Sequence, residues 1–152
     1  MRGHVSLAIP LLLLISAPQL RSYSPDEKTV DQQTITALQA RIAQSQPREQ
    51  CFLYAELMHQ MTEFSLRQYA AGNTEKANDL LKQVQVIAHK IHLSVADNDK
   101  RLKNAQILLR HTAFRLSEML HNSSFEDRPL VQETLVQVNQ AGNEAMLQVF
   151  KK

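Results

Sequence analysis

The sequence predicts an all-α protein, an elongated antiparallel helical bundle around one long central helix. The chain has 152 residues but only three Gly and five Pro, too few for a fold rich in turns. No segment alternates apolar and polar residues with period two, whereas apolar residues recur every three or four positions along most of the chain. With 43% apolar residues, the composition is that of a folded domain and not of a disordered chain.

Residues 1–22 are expected to be a secretory signal peptide. A short basic start precedes an apolar run from Val5 to Ile15, and a polar stretch follows. This run is shorter than the ~20 residues that a transmembrane helix needs, although an uncleaved anchor is the alternative. We therefore expect export to the periplasm or the cell exterior, with membrane contact only through the signal peptide.

Removal of this segment changes the charge of the protein. The whole chain has a net charge of +2, which favours an acidic partner. Cleavage after Ser22 removes Arg2 and Arg21 and leaves 15 basic and 15 acidic residues. A neutral mature chain gives no general electrostatic basis for binding nucleic acid.

Residues 23–152 are expected to form a single helical domain. The helices are predicted at about 27–45, 48–71, 74–121 and 126–150. The first has a short apolar stripe of Ile35, Leu38 and Ile42. The second is apolar on two sides, with Leu57 on one and Ala55 on the other, so it should lie between neighbouring helices.

The third segment predicts the long central helix. Its stripe recurs at steps of three and four without interruption: Ala77, Leu81, Val84, Ala88, Ile91, Val95, Asn98, Leu102, Ala105, Leu109, Thr112, Leu116 and Met119. Because a hairpin turn usually shifts the register, the continuous stripe favours one helix of ~48 residues, roughly 72 Å long. The alternative is a break near Asp97–Asp99, where poor helix formers cap well, giving a compact up-down four-helix bundle.

Two glycines and a weak internal repeat give further predictions about helix ends and helix packing. Gly72 is predicted to end the second helix as a C-cap. Gly142 lies inside the last apolar stripe, which predicts a close approach of a neighbouring backbone. Residues 57–66 resemble residues 107–116 at an offset of 50, which favours two antiparallel helix pairs, although chance matches are common in heptad sequences.

Histidine pairs are the candidate metal ligands. Glu56 and His59, and His89 and His92, are each three residues apart and therefore share a helix face. Such pairs can hold a divalent transition metal if a further ligand joins them. The alternative is exposed histidines on a solvated face and no cofactor. A metal- or small-ligand-binding bundle would draw on the following side chains: His59, His89, His92, His111 and His121.

Basic residues and one cysteine are the other candidates. A basic band along the predicted central helix could contact an anionic partner, or be a solvated face with local ion pairs. The band consists of Lys100, Arg101, Lys103, Arg110 and Arg115. Cys51 is expected to be a buried thiol, with an intermolecular disulfide as the alternative.

No nucleophile motif or phosphate-binding loop is recognisable, so we expect a non-enzymatic interaction or scaffold protein. A long central helix would extend beyond flanking helices of ~24 residues and expose apolar surface, which a homo-oligomer or an envelope protein partner would cover.

Two stretches carry a resemblance to known proteins. Residues 47–57 and 100–105 look similar to exported all-helical bacterial proteins of unassigned function, and that resemblance implies export and helicity. Residues 66–77 look like the helix-turn-helix junction of a tetratricopeptide unit, but no 34-residue array follows.

Overall fold

The computed structural model describes residues 30–93 and 99–150, without the side chains of residues 92, 93, 99, 100 and 149. The signal peptide predicted at residues 1–22 lies outside this part. Five helices follow one another: α1 (Gln32–Gln44), α2 (Pro47–Ala70), α3 (Thr74–Leu93), α4 (Asp99–Asn122) and α5 (Arg128–Val149). No strand occurs in the described ranges, and the predicted all-α class is confirmed.

The helices α2 to α5 form a four-helix bundle made of two antiparallel hairpins. Within the hairpins, α2 packs on α3 and α4 packs on α5. Between them, α2 contacts α4 through Glu63 and Arg115, and α3 contacts α5 through Gln85 and Thr134. These partners are about fifty residues apart, and their numbers rise together, so α2 is parallel to α4 and α3 is parallel to α5. Among the helices of the described ranges, α1 packs on α2 alone.

The prediction of one long central helix is wrong. Helix α2 is antiparallel to α3 but parallel to α4, so α3 and α4 run in opposite directions and cannot be halves of one helix. Both helices bury their part of the stripe in the same core, so burial alone does not distinguish one long helix from two. The architecture corresponds to the alternative, a compact bundle with a reversal between Leu93 and Asp99, to which α1 is added.

Local signals account for the helix ends. Helix α1 begins at Gln32, later than the predicted residue 27, because the Asp31 carboxylate accepts a hydrogen bond of 2.8 Å from the Thr34 N–H. Helix α2 ends as predicted, with Gly72 at φ 82°. The N–H of Asn73 donates to the Gln68 carbonyl at 2.8 Å, which completes a Schellman motif.

The predicted apolar stripes form the core. Those of α3 and α4 are buried at every position whose side chain is described: Ala77, Leu81, Val84, Ala88, Ile91, Leu102, Ala105, Leu109, Thr112, Leu116 and Met119. Helix α2 buries residues on several sides because α1, α3 and α4 surround it, which confirms its two-sided pattern. Helix α1 buries Ile35, Leu38 and Ile42.

Gly142 lies against α4, but the expected close approach of a backbone is not found. A Cβ atom placed on Gly142 would lie 3.7 Å from the Leu109 Cβ, an ordinary van der Waals distance to a side chain. The position therefore has room for a methyl group.

We expect Gly142→Ala to raise the free energy of unfolding by up to ~1 kcal/mol, because alanine has the higher helix propensity and the methyl fits. Chemical denaturation measures this change. Gly72→Ala is the matched contrast, and it should destabilise because the positive φ disfavours a side chain. A lower denaturation midpoint for Gly142→Ala would show that the α4–α5 spacing is tighter than described.

Candidate functional site

The interface between α2 and α4 holds an ion-pair cluster centred on Arg115. Its Nε lies 2.6 Å from Glu63 Oε1, and its Nη2 lies 3.1 Å from Glu63 Oε2. A third hydrogen bond joins Nη1 to Glu118 on the same helix. The hydrogen bonds that Arg115 donates to Glu63, and then to Glu118, raise the pKa of its guanidinium above the usual range. This guanidinium therefore ties α4 to α2.

His59 lies beside this cluster and also contacts α4. Its Nδ1 is 3.3 Å from Thr112 Oγ1, and the Thr112 hydroxyl lies 2.9 Å from the Leu108 carbonyl oxygen. Because the hydroxyl has one hydrogen, the shorter contact assigns it to Leu108, so His59 donates from Nδ1 to Thr112. The His59 and His111 rings lie 6.5 Å apart, edge to face. Burial lowers the pKa of His59, and His111 and Arg115 add to this effect against the opposing charge of Glu63.

The lowered pKa of His59 makes stability depend on pH. The unfolded chain binds a proton near pH 6.5 more readily than the folded protein does. We therefore expect the free energy of unfolding to fall as pH drops below about 6.5, by at most about 1.4 kcal/mol per pH unit for one proton. Denaturation measured from neutral to mildly acidic pH tests this.

His59→Gln should flatten that pH dependence, whereas replacement of the exposed His121 by Gln should leave it in place. An unchanged slope in the His59 variant would contradict the assignment.

The candidate metal ligands do not form a metal centre in the described residues. No group of three or more His, Cys, Asp or Glu side chains there could hold an ion. Glu56 and His59 are half-buried on α2, His89 is exposed on α3, and the His92 side chain lies outside the described part. His59 lies beside His111 and Thr112 instead.

His89 lies in a groove between α3 and α5. The groove has a volume of about 620 Å³, within the range of small-ligand sites. Its lining combines small apolar and longer polar side chains: Gln85, Val86, Ala88, His89, Gln137, Gln140, Ala141 and Glu144. The groove is open to solvent along the parallel helix pair.

Cys51 is the buried thiol that the sequence predicts. Its side chain is 2% exposed and forms no disulfide. Burial raises its pKa to about 11, so the thiol stays protonated at neutral pH and is a poor nucleophile.

The predicted basic band divides into two groups. Arg101 pairs with Glu49 on α2 at 3.2 Å, which is an internal contact of the bundle. Lys103 and Arg110 are exposed, and the structure shows no ion pair for either among the residues it describes. The Lys100 side chain lies outside the described part.

Two exposed apolar residues of α4 were not among the predicted site residues, one between Lys103 and Arg110 and one after Arg110. Ile107 is 55% exposed and Phe114 is 62% exposed. At steps of four, three and four, Lys103, Ile107, Arg110 and Phe114 form one stripe on the side of α4 away from the core, here called the α4 surface. The register of α4 predicts this stripe, because it lies opposite the buried one. Among the described helices, α2 is covered by α1, α3 and α4, whereas α4 contacts only α2 and α5.

No protein-family model, curated protein or solved structure matches this chain. The resemblance to exported helical bacterial proteins therefore stays a prediction. None of the helices in residues 30–93 and 99–150 is both long and apolar enough to cross a membrane.

Proposed function

We propose that the protein is an exported, non-enzymatic helical interaction protein that binds its partner through the α4 surface. The observation that carries this proposal is the exposed pair Ile107 and Phe114, flanked by Lys103 and Arg110. Single exposed apolar residues are common on protein surfaces. Two on one helix face, seven residues apart, are positioned to bind a single partner element together.

The charges on α4 support the same surface. Arg101 and Arg115 face α2 and pair with its glutamates, so they serve the bundle itself. Lys103 and Arg110 point away from α2 and are available to an anionic group of a partner. Apolar anchors with charged neighbours are the usual composition of a binding surface between proteins.

The proposal also includes self-association, which the sequence predicted from a continuous central helix. The apolar stripe of a continuous helix would have needed a second copy, whereas in the bundle one chain covers the stripes of α3 and α4. Light scattering on the mature protein at micromolar concentration tests self-association, and a strict monomer would count against it.

Site-specific photo-crosslinking tests the proposed surface. A photoreactive residue at position 114 should form a discrete adduct with a partner in the envelope fraction. Leu147, which is 57% exposed on α5, is the matched control and should form none. The proposal fails if position 114 yields no adduct or the same adducts as position 147.

A second candidate function is small-ligand binding in the groove beside His89, favoured by the groove's volume of about 620 Å³. Metal analysis and mass spectrometry of protein purified from its natural compartment test it. A stoichiometric metal or ligand that is lost in the His89→Ala/His92→Ala variant would favour this function over the first.

A further inference from the structure

We infer that the α4 surface binds an amphipathic helix of a partner protein whose apolar stripe is flanked by acidic residues. This inference rests on the proposed function and adds the chemistry of the partner.

The spacing of the α4 surface fits a helix. Its four residues span eleven positions, or roughly 16 Å, which is about three helical turns. A helix lying along this stripe would present apolar residues at the i, i+3, i+4 and i+7 spacing that characterises helix recognition.

The protein already contains one contact of this kind. Helix α1 has 13 residues, packs on α2 alone, and buries Ile35, Leu38 and Ile42 at steps of three and four. A single helix of about three turns is therefore enough to cover one outer face of this bundle. The α4 surface lacks such a cover within the described part of the chain.

The positive charge of the α4 surface favours a partner with negative charge. Lys103 and Arg110 lie one turn to either side of Ile107 and are exposed. The nearby carboxylate of Glu118 is already held by Arg115. Arg110 also lines a small groove between α4 and α5 with the neutral amides of Asn139 and Asn143. Carboxylates beside the partner's apolar stripe would pair with the two cations and fix its orientation.

Two other occupants fit less well. A two-fold contact with a second copy would bring the two cations of each copy into one interface whose stripes contain no carboxylate, and this excess of like charge is repulsive. Binding to an anionic membrane would depend on only these two cations, whereas polybasic lipid-binding segments use about 4–8. Both alternatives become outcomes of the test.

The experiment uses the mature protein and a designed, fluorescently labelled helical peptide with leucines at the anchor positions and glutamates beside them. A matched peptide carries lysines in place of the glutamates. By fluorescence anisotropy, we expect the glutamate peptide to bind at least ~10-fold more tightly than the lysine peptide, more so at low ionic strength. Lys103→Glu/Arg110→Glu should reverse this preference, and Ile107→Ala/Phe114→Ala should weaken both peptides.

Lys90→Glu, a charge reversal at an exposed position of α3, is the control and should leave binding unchanged. Circular dichroism checks that each surface variant remains folded. The inference is overturned if the glutamate peptide does not bind, if both peptides bind equally, or if the charge reversals have no effect. It is also overturned if only phosphatidylglycerol vesicles bind, or if light scattering shows a dimer that Phe114→Ala dissociates. A crosslink at position 114 without preference for the glutamate peptide would leave the proposed function standing and remove this inference alone.

Discussion

Replacing Leu109 by Ala is expected to lower the free energy of unfolding by about 2–5 kcal/mol. Leu109 is 1% exposed in the middle of α4, where its Cβ faces Gly142 of α5. The helix backbones on both sides of the site are held by the rest of the bundle, so truncation leaves a cavity that cannot close fully. Chemical denaturation measures this loss of unfolding free energy. The slope of the free energy against denaturant concentration should stay unchanged if the transition stays two-state.

Leu147→Ala provides the matched control for Leu109→Ala. Truncation of Leu147 to Ala removes the same atoms, but this side chain is 57% exposed on α5. Its replacement should change stability by no more than about 0.5 kcal/mol. Equal effects of the two substitutions would mean that α4 does not pack on α5 as described.

Replacing Arg115 by Met should cost about 1–2 kcal/mol of unfolding free energy. The substitution keeps most of the side-chain volume but leaves Glu63, which is 24% exposed, without its bidentate partner. Hydrogen bonds to charged groups contribute about 1.5–3 kcal/mol, and exposed ion pairs about 0–1 kcal/mol. The partial exposure of Arg115, at 38%, places this pair between those limits.

A double-mutant cycle of Arg115→Met with Glu63→Gln isolates the interaction, and the coupling should decrease as salt is added. Lys82→Met is the comparison, because Lys82 and Asp79 form a pair of 3.4 Å in which both side chains are mostly exposed. Its effect should stay below about 0.5 kcal/mol. Strictly additive effects of the Arg115 and Glu63 substitutions would contradict the described contact.

Local patterns predicted the helices well and the direction of the chain poorly. The stripe from Ala77 to Met119 correctly identifies the buried residues of α3 and α4, since burial on a helix face follows from periodicity alone. The spacing from Ile91 to Leu102 fits the same stripe although α3 and α4 run in opposite directions, so the spacing alone does not reveal the change of direction. Helix neighbours are tertiary information that a spacing pattern does not contain.

The same limit applies to the candidate site. The basic band predicts that Arg101 and Arg115 are available to a partner, but they form ion pairs with Glu49 and Glu63 on another helix, about fifty residues away. His59 was paired with Glu56 because they share a helix face, whereas its nearest imidazole is that of His111 on α4. By contrast, the exposed positions of Ile107 and Phe114 follow from the register of α4, so the sequence contained that signal.

The parallel packing of one hairpin on the other has a consequence for the order of folding. Contacts within each hairpin are close in sequence, so α2–α3 and α4–α5 are the units that form at low entropic cost. The contacts that join them are about fifty residues apart, so docking of the two hairpins is the step that forms these long-range contacts. During synthesis, α3 has α2 as its sole partner in the described bundle until α5 has emerged from the ribosome. The core is therefore completed late, when the last helix joins it.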